Sequence, residues 1–519
     1  MKTLESCSTG DPPVHHRTKS GTRALFASAQ AGRLCRVTGG VLLLCVAAFA
    51  ADAKYTKPDL ATPQSWQSQI PWQTATPLDS LPKNAWWKVF GDAELDQYED
   101  RAMANNQSLR AATARLAEAR AFARVTSAGL YPELDAGFGA QRQRLSANRP
   151  TNGATITPTA VTQNVFNIPF TLNYEIDLFG RVRYGVQAVN ASLQASAADL
   201  ENVRLLVSSE LAADYFQLRE LDAEMAVVQK SIDYQQKGLD VVQKRHEGGA
   251  VSGLDVAQQQ TVLDSSITQL SLLQQQRAQF QHALAVIQGL PVPEFSAPVR
   301  ALNAQPPAVP VALPSELLQR RPDIATAERQ VASANAQIGV AKSAFYPSLS
   351  LSGGAGFQSA DIGKLLNGPS ALWSLGLSAL EPVIAGGRNR ARLEQVRASY
   401  DEQVADYREA VLTAFQQVED ALAGLNALNA ASESQLRAVA DAERSLDISN
   451  ARYTGGLVNY LDVITAQEQM LTNERLATQI QGQRLVTSVL LVKALGGGWD
   501  AASIAAVGIK PSLKQAIQQ

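Results

Sequence analysis

Between Arg181 and Arg245 the chain contains no proline, and only Gly185 and Gly238 weaken an otherwise helix-compatible run. Proline lacks a backbone N–H and clashes with the preceding turn, so its absence over such a length lets one helix run through. At ~1.5 Å of rise per residue that helix is roughly 100 Å long, far beyond what a compact domain uses. A second stretch follows suit. Leu393, Val396, Tyr400, Val404, Tyr407, Val411, Phe415, Val418 and Leu422 recur at spacings of three and four, as one face of a helix requires. Helices this long and this polar are expected to pack side by side, coiled-coil fashion. Sparse aromatics, 6% of residues, suit that plan better than a large aromatic core.

The long helices belong to a longer duplication. "RHEGGAVSGLDV" from Arg245 returns as "RYTGGLVNYLDV" from Arg452, and Gly180-Arg181 returns as Gly387-Arg388, both 207 residues later. "NNQSLRAATARLAEA" from Asn105 parallels "RRPDIATAERQVASA" from Arg320, and "LYPELDAGFGAQ" from Leu130 parallels "FYPSLSLSGGAGFQ" from Phe345, at an offset of 215. The eight-residue change falls at the polar stretch from Ser146 to Asn164, which is therefore expected to be an exposed loop. Each copy then reads as helix, two strands, very long helix, tip and long helix. The expected division is 1–53 as an extension with a targeting signal, 54–104 as an N-terminal segment, 105–290 and 315–499 as the copies, 291–314 as a Pro-rich joint, and 500–519 as a tail.

At each tip the local chemistry predicts a helix reversal. Gly248-Gly249 and Gly455-Gly456 can adopt the left-handed conformation that ends a helix. Ser252 and Asn459 are good N-caps, and Asp255 and Asp462 stand three residues later, where a capping box places an acid.

Four segments alternate apolar with small or polar residues: "LDAGFGAQ" from Leu134, "FNIPFTLNYEIDLFG" from Phe166, "SLSLSGGAGFQ" from Ser348 and "LWSLGLSALEPV" from Leu372. Each has about the ~9–11 residues of a tilted membrane strand. Four strands cannot close a barrel, and an open edge in lipid leaves backbone groups unpaired, so several copies would have to combine. The plain alternative is a four-stranded sheet in a soluble coiled-coil scaffold. The N-terminus argues for export: Arg33 and Arg36 precede an apolar run from Val37 to Ala51, and "AFAADA" offers cleavage after Ala50 or Ala53. Cys45 is a lipidation candidate, but Leu44 is bulky where such signals want a small residue, so simple cleavage is expected.

Other functions find little support. A formal net charge of −2 argues against nucleic-acid binding. The three cysteines, Cys7, Cys35 and Cys45, lie near the N-terminus, which removes thiolate chemistry from the rest of the chain. His246 and His282 lack metal-ligand spacing. "GGAG" from Gly353 lies in a predicted strand and opens no helix, so it is not a phosphate loop. No cofactor, metal or enzymatic activity is expected.

Taken in order, "YTKP" (Tyr55), "WWKVFGDAELD" (Trp86), "YEIDLFGR" (Tyr174), "RRPDI" (Arg320), "YPSLSLSG" (Tyr346), "RYTGG" with "NYLDV", and "ALGGGW" (Ala494) resemble the TolC-like outer-membrane efflux proteins, in the branch serving resistance–nodulation–division (RND) pumps. The resemblance spans about Tyr55 to Trp499. It implies a mixed α and transmembrane-β fold: a homotrimer with a twelve-stranded outer-membrane barrel, four strands per chain, continued by a long periplasmic helical barrel. It implies a periplasmic adaptor, an inner-membrane RND pump and outer-membrane lipid as partners, and a passive duct for drugs or other small toxic molecules. A type I protein-secretion duct is the competing reading.

The resemblance also places the repeated phrase at the periplasmic tip, where the tunnel narrows. There Leu461 and Asp462 would form an apolar and an acidic constriction, Tyr460 is a further gate candidate, and Arg452 and Tyr453 would tether neighbouring helices and hold the closed state. The second copy carries Tyr460 and Tyr453 where the first has Gly253 and His246. Some relatives carry an acid one turn after the leucine, where this chain has Thr465. Helix capping is the plainer role for both aspartates.

Overall fold

The computed structural model describes residues 55–59, 65–67, 85–148, 159–307, 320–499 and 507–508. The targeting signal with Cys45, most of the tail, the centre of the polar loop and the end of the Pro-rich joint lie outside the described residues.

The helices are α1 (Ala93–Asn105), α2 (Gln107–Ala128), α3 (Arg181–Glu247), α4 (Gly253–Ile287), α5 (Pro322–Ser343), α6 (Arg388–Thr454) and α7 (Tyr460–Ala494). Helices α3 and α6 each have 67 residues, α4 and α7 each 35, and α2 and α5 each 22. Sixty-seven residues at ~1.5 Å make a rod of roughly 100 Å. No helix among the described residues is long and apolar enough to cross a membrane.

Small residues let these rods lie close. Ala188, Ala191, Ala195 and Ala198 recur along the buried side of α3. Ser333 of α5 donates to Ala188 O at 2.9 Å and lies 2.9 Å from Ser192 Oγ. The α5 glycine Gly339 sits against the Tyr184 ring, so close that a methyl group there would overlap the ring. The abundance of alanine is thus a packing requirement of parallel rods at short spacing.

The strands are β1 (Glu133–Ala136), β2 (Gly139–Leu145), β3 (Val161–Ile176), β4 (Ser348–Ser359) and β5 (Ala371–Leu380), paired antiparallel in the order β1/β2, β3, β4, β5. Chemically β1 and β2 are one strand, because both hold the same register against β3: Glu133 faces Asn173 and Leu145 faces Val161. The break falls opposite Pro169. Gly137 N donates to Pro169 O at 2.9 Å, and proline has no N–H to return the bond. Strand β3 begins earlier than its sequence suggests. Val161–Asn164, expected in the polar loop, pair with Arg142–Leu145.

Residues directly opposite one another share a sheet face, and here the rows separate cleanly. Leu134, Leu172, Gly353 and Leu375 form one row; Ala136, Phe170, Ala355 and Trp373 form another. The intervening row of the other face reads Asp135, Thr171, Gly354 and Ser374. The apolar face is bare in the single chain: Leu134 is 69% exposed, Leu375 68% and Trp373 81%. A soluble sheet would cover such a face with helices.

The main core lies midway along the rods. Trp86, Trp87 and Phe90 pack with Phe216 of α3, Leu284 of α4, Leu422 of α6 and Val489 of α7. Trp86 Nε1 donates to Ser208 Oγ at 3.0 Å. The Pro-rich joint is tied to the same level by charge. Asp222, fully buried, accepts from Arg219 Nη1 at 2.6 Å, Arg277 Nε at 2.5 Å and Arg300 N at 3.2 Å. Arg219 and Arg277 also donate to Pro298 O and Ala297 O. "RRPDI" is a helix entry: Pro322 opens α5, and Arg321 pairs with Asp323 while donating to Ala494 O at 3.0 Å.

Candidate functional site at the helical tips

Two reversals, α3 to α4 and α6 to α7, lie at the end of the rods opposite the sheet. Their backbones are near copies. Gly249 and Gly456 both adopt φ 73°, whereas Gly248 and Gly455 remain right-handed at φ −77° and −78°. Only the second glycine of each pair therefore uses the freedom that both were expected to use. Ala250 N donates to Arg245 O at 2.8 Å and Gly249 N to His246 O at 2.9 Å; Leu457 N and Gly456 N repeat this to Arg452 O and Tyr453 O at 2.9 and 3.0 Å. Each is a Schellman closure, which requires one left-handed residue.

The caps differ. Ser252 Oγ accepts from Asp255 N at 3.4 Å, and Asp255 Oδ2 accepts from Ser252 N at 2.9 Å, completing a capping box. Asn459 Oδ1 accepts from Asp462 N at 3.2 Å, but Asp462 returns no bond. Its carboxylate is exposed and has no side-chain partner among the described residues. So one aspartate is spent on capping and its counterpart is not.

Tyr460, expected among the constriction side chains, is instead 5% exposed within its own subunit. Its hydroxyl donates to Gln259 Oε1 of α4 at 3.0 Å and lies over Gly238 of α3, where an added Cβ would approach it to 2.9 Å. Burial, then the neighbouring Tyr453, pushes the Tyr460 phenol up to about 12. The two rings stand 5.0 Å apart, and the Arg245 guanidinium lies 4.9 Å from the Tyr453 centroid. Val242, Val262, Val463 and Ile464 complete a small apolar knot joining both tips. The knot holds the tips together from within, so Tyr460 cannot also fill a tunnel.

Leu461, 49% exposed, and Arg452, also exposed, are not part of this knot, and the Arg452 side chain has no partner among the described residues. Sequence reasoning missed Gln259, Tyr234 and Arg245. Tyr234 accepts from Asn450 Nδ2 at 2.5 Å, another tie between α3 and α6. The only available signal was Gly238, an unexplained glycine inside a long helix.

The family model for outer membrane efflux proteins matches residues 99–290 and 313–497. The chain is 34% identical to the pyoverdine export outer membrane protein OpmQ of Pseudomonas aeruginosa, over 85% of this chain and 92% of OpmQ. It is 28% identical to the cation efflux system protein CusC of Escherichia coli O157:H7, over 90% and 99% of the two chains. Its fold is similar to the outer-membrane channel OprN, with a TM-score of 0.77, 26% identity, and coverage of 86% and 99%. The chain belongs to the outer membrane efflux protein family and is the outer-membrane channel of an RND-type efflux system.

Proposed function

We propose that the protein works as a homotrimeric passive duct whose twelve strands, four from each chain, close a barrel in the outer membrane. The observation that carries this reading is the sheet. Its bare apolar face suits lipid and its polar face suits a water-filled lumen. Among the described residues both β1/β2 and β5 are left as open edges, which in lipid would strand backbone donors and acceptors. Pairing β5 of one copy with β1/β2 of the next removes them. The matched helix lengths support reading 105–290 and 315–499 as repeats, with 54–104 as an N-terminal segment, 291–314 as the joint and 500–519 as a tail; Trp86, Phe90, Phe295 and Ala297 pack into the core midway along the rods.

In this reading the rods of three subunits form a periplasmic tunnel, and the exported small molecules pass through without chemistry. An adaptor and an inner-membrane pump supply the energy and the contact at the tips. Leu461 and Asp462 would form the constriction, and Arg452, unpaired among the described residues, would tether it to a neighbour. Tyr460 and Tyr453 act as the support behind it.

Native mass spectrometry and planar-bilayer recording test the assembly together. A trimer that conducts, with no conducting monomer, is expected. A monomer that forms pores with full strand content would sink the shared-barrel reading.

A further inference from the structure

The two strand-to-helix turns differ in one electrostatic respect. Ahead of α3, Arg181 makes a two-pronged ion pair with Glu175, and Arg183 pairs with Asp177 at 3.2 Å. Ahead of α6, the equivalent carboxylate positions hold Pro382 and Ile384. Arg388, Arg390 and Arg392 are all exposed there without an acidic partner among the described residues, and the first turn of α6 holds no acid. Cations at the start of a long helix oppose its dipole. The turn ahead of α3 offsets that cost with two carboxylates, and the turn ahead of α6 leaves it standing.

The three arginines are not equivalent. Asn389 donates to Ala344 O at 2.7 Å, so that side of α6 faces α5. At ~100° per residue Arg388 and Arg392 share one flank, one turn apart, and Arg390 lies on the other. Arg390 shares its flank with Glu394 four residues on, whereas the Arg388 flank continues through Gln395 and Ser399 without a carboxylate. Arg392 bonds only the neutral Gln395, at 2.7 Å. Two like charges at this spacing repel unless an anion lies between them.

The turn itself is apolar and bare. Val383 and Ile384 are each 91% exposed and follow directly after β5, which ends at Leu380. Its one carboxylate, Glu381, is exposed and unpaired among the described residues. We infer that Arg388 and Arg392 hold the phosphodiester headgroup of an anionic phospholipid in the leaflet on the helix side, with Val383 and Ile384 seated among its acyl chains. This rests on the outer-membrane reading of the sheet. The level is right: Asn389 is bonded four residues before β4 begins, and headgroup regions flank the hydrocarbon by only ~5–8 Å.

The test uses the full-length protein in neutral detergent, with phosphatidylglycerol or phosphatidylcholine added and retained lipid counted by native mass spectrometry. Phosphatidylglycerol should be preferred, with retention about fivefold weaker for each of Arg388→Ala and Arg392→Ala. The double lysine variant should keep it, and Arg390→Ala should match wild type. Undiminished retention by the double alanine variant overturns the site. So does an equal drop in melting temperature with either lipid, which would mean a protein carboxylate is the true partner. Displacement by inorganic phosphate at equal concentration would mean a soluble-anion site instead. Bilayer conductance separates the underlying reading: a conducting protein without lipid preference loses only this site, and one that neither inserts nor conducts loses the channel reading as well.

Discussion

Tyr460 of the second tip donates its hydroxyl to Gln259 of the first at 3.0 Å, directly over Gly238 of α3. The contact joins the two tips, and its tyrosine stands where the first tip has Gly253.

That lock predicts a coupling. Replacing an interior helix glycine with alanine normally stabilises by about 1 kcal/mol. In wild type, Gly238→Ala should lose that gain or turn destabilising, because the new methyl meets the Tyr460 hydroxyl. In a Tyr460→Phe background the gain should return. A double-mutant cycle of thermal melts measures it, and additive effects would dismiss the lock.

The unequal caps predict unequal aspartates. Asp462→Asn should lower cation preference in single-channel recordings, since its carboxylate is unused by the chain. Asp255→Asn should leave selectivity alone and cost about 0.5–1 kcal/mol of stability through the weakened capping box. Equal, silent behaviour of both would reduce Asp462 to a helix-start residue.

Removing side chains that reach a three-fold axis widens the opening three times at once. Leu461→Ala and Arg452→Ala should each raise resting conductance, while Ala250→Ser in the first tip should change little. Unchanged conductance in both variants would leave the tips as simple reversals.

Glu220 of α3 packs against Gly482 of α7, and burial, then the Glu224 charge, raises its carboxyl to about 7. Glu224 itself is held by Arg475 at 2.7 Å. The folded protein therefore keeps the Glu220 proton to higher pH than the unfolded chain does. The associated stability is full below the ordinary carboxylate range near ~4.3 and is lost as pH rises through about 7. Glu220→Gln should flatten that slope and gain ~1–2 kcal/mol at pH 8, allowing for solvent screening. A melting-temperature profile from pH 5 to pH 8 (roughly the window set by the shift) reads it directly.

Asp222 neutralises two buried or nearly buried guanidiniums, Arg219 and Arg277. Asp222→Ala should cost ~3–5 kcal/mol, because it leaves Arg277 without a counterion and Arg219 with Glu94 alone, at 3.1 Å. Denaturant unfolding checks it, and a loss below about 1 kcal/mol would mean the cluster is well solvated.

Helix existence and direction were readable from local chemistry alone. A proline-free run becomes a 67-residue rod because every residue in it can keep the i to i−4 ladder, and Gly-Gly followed by Ser or Asn reverses a chain whatever surrounds it. Strand alternation likewise predicts two unlike sheet faces, since side-chain period 2 is a property of the strand itself. Side-chain roles were not local. Which glycine turns left-handed depends on closing a specific pair of hydrogen bonds, and Tyr460 and Asp462, two residues apart, part company because α3 and α4 reach one of them and not the other. Tyr460 was drawn into a knot by Val242, Val262 and Gln259, residues about 200 positions earlier in the chain. Burial is decided by what packs against a side chain, and for partners that distant only the assembled rods supply the answer.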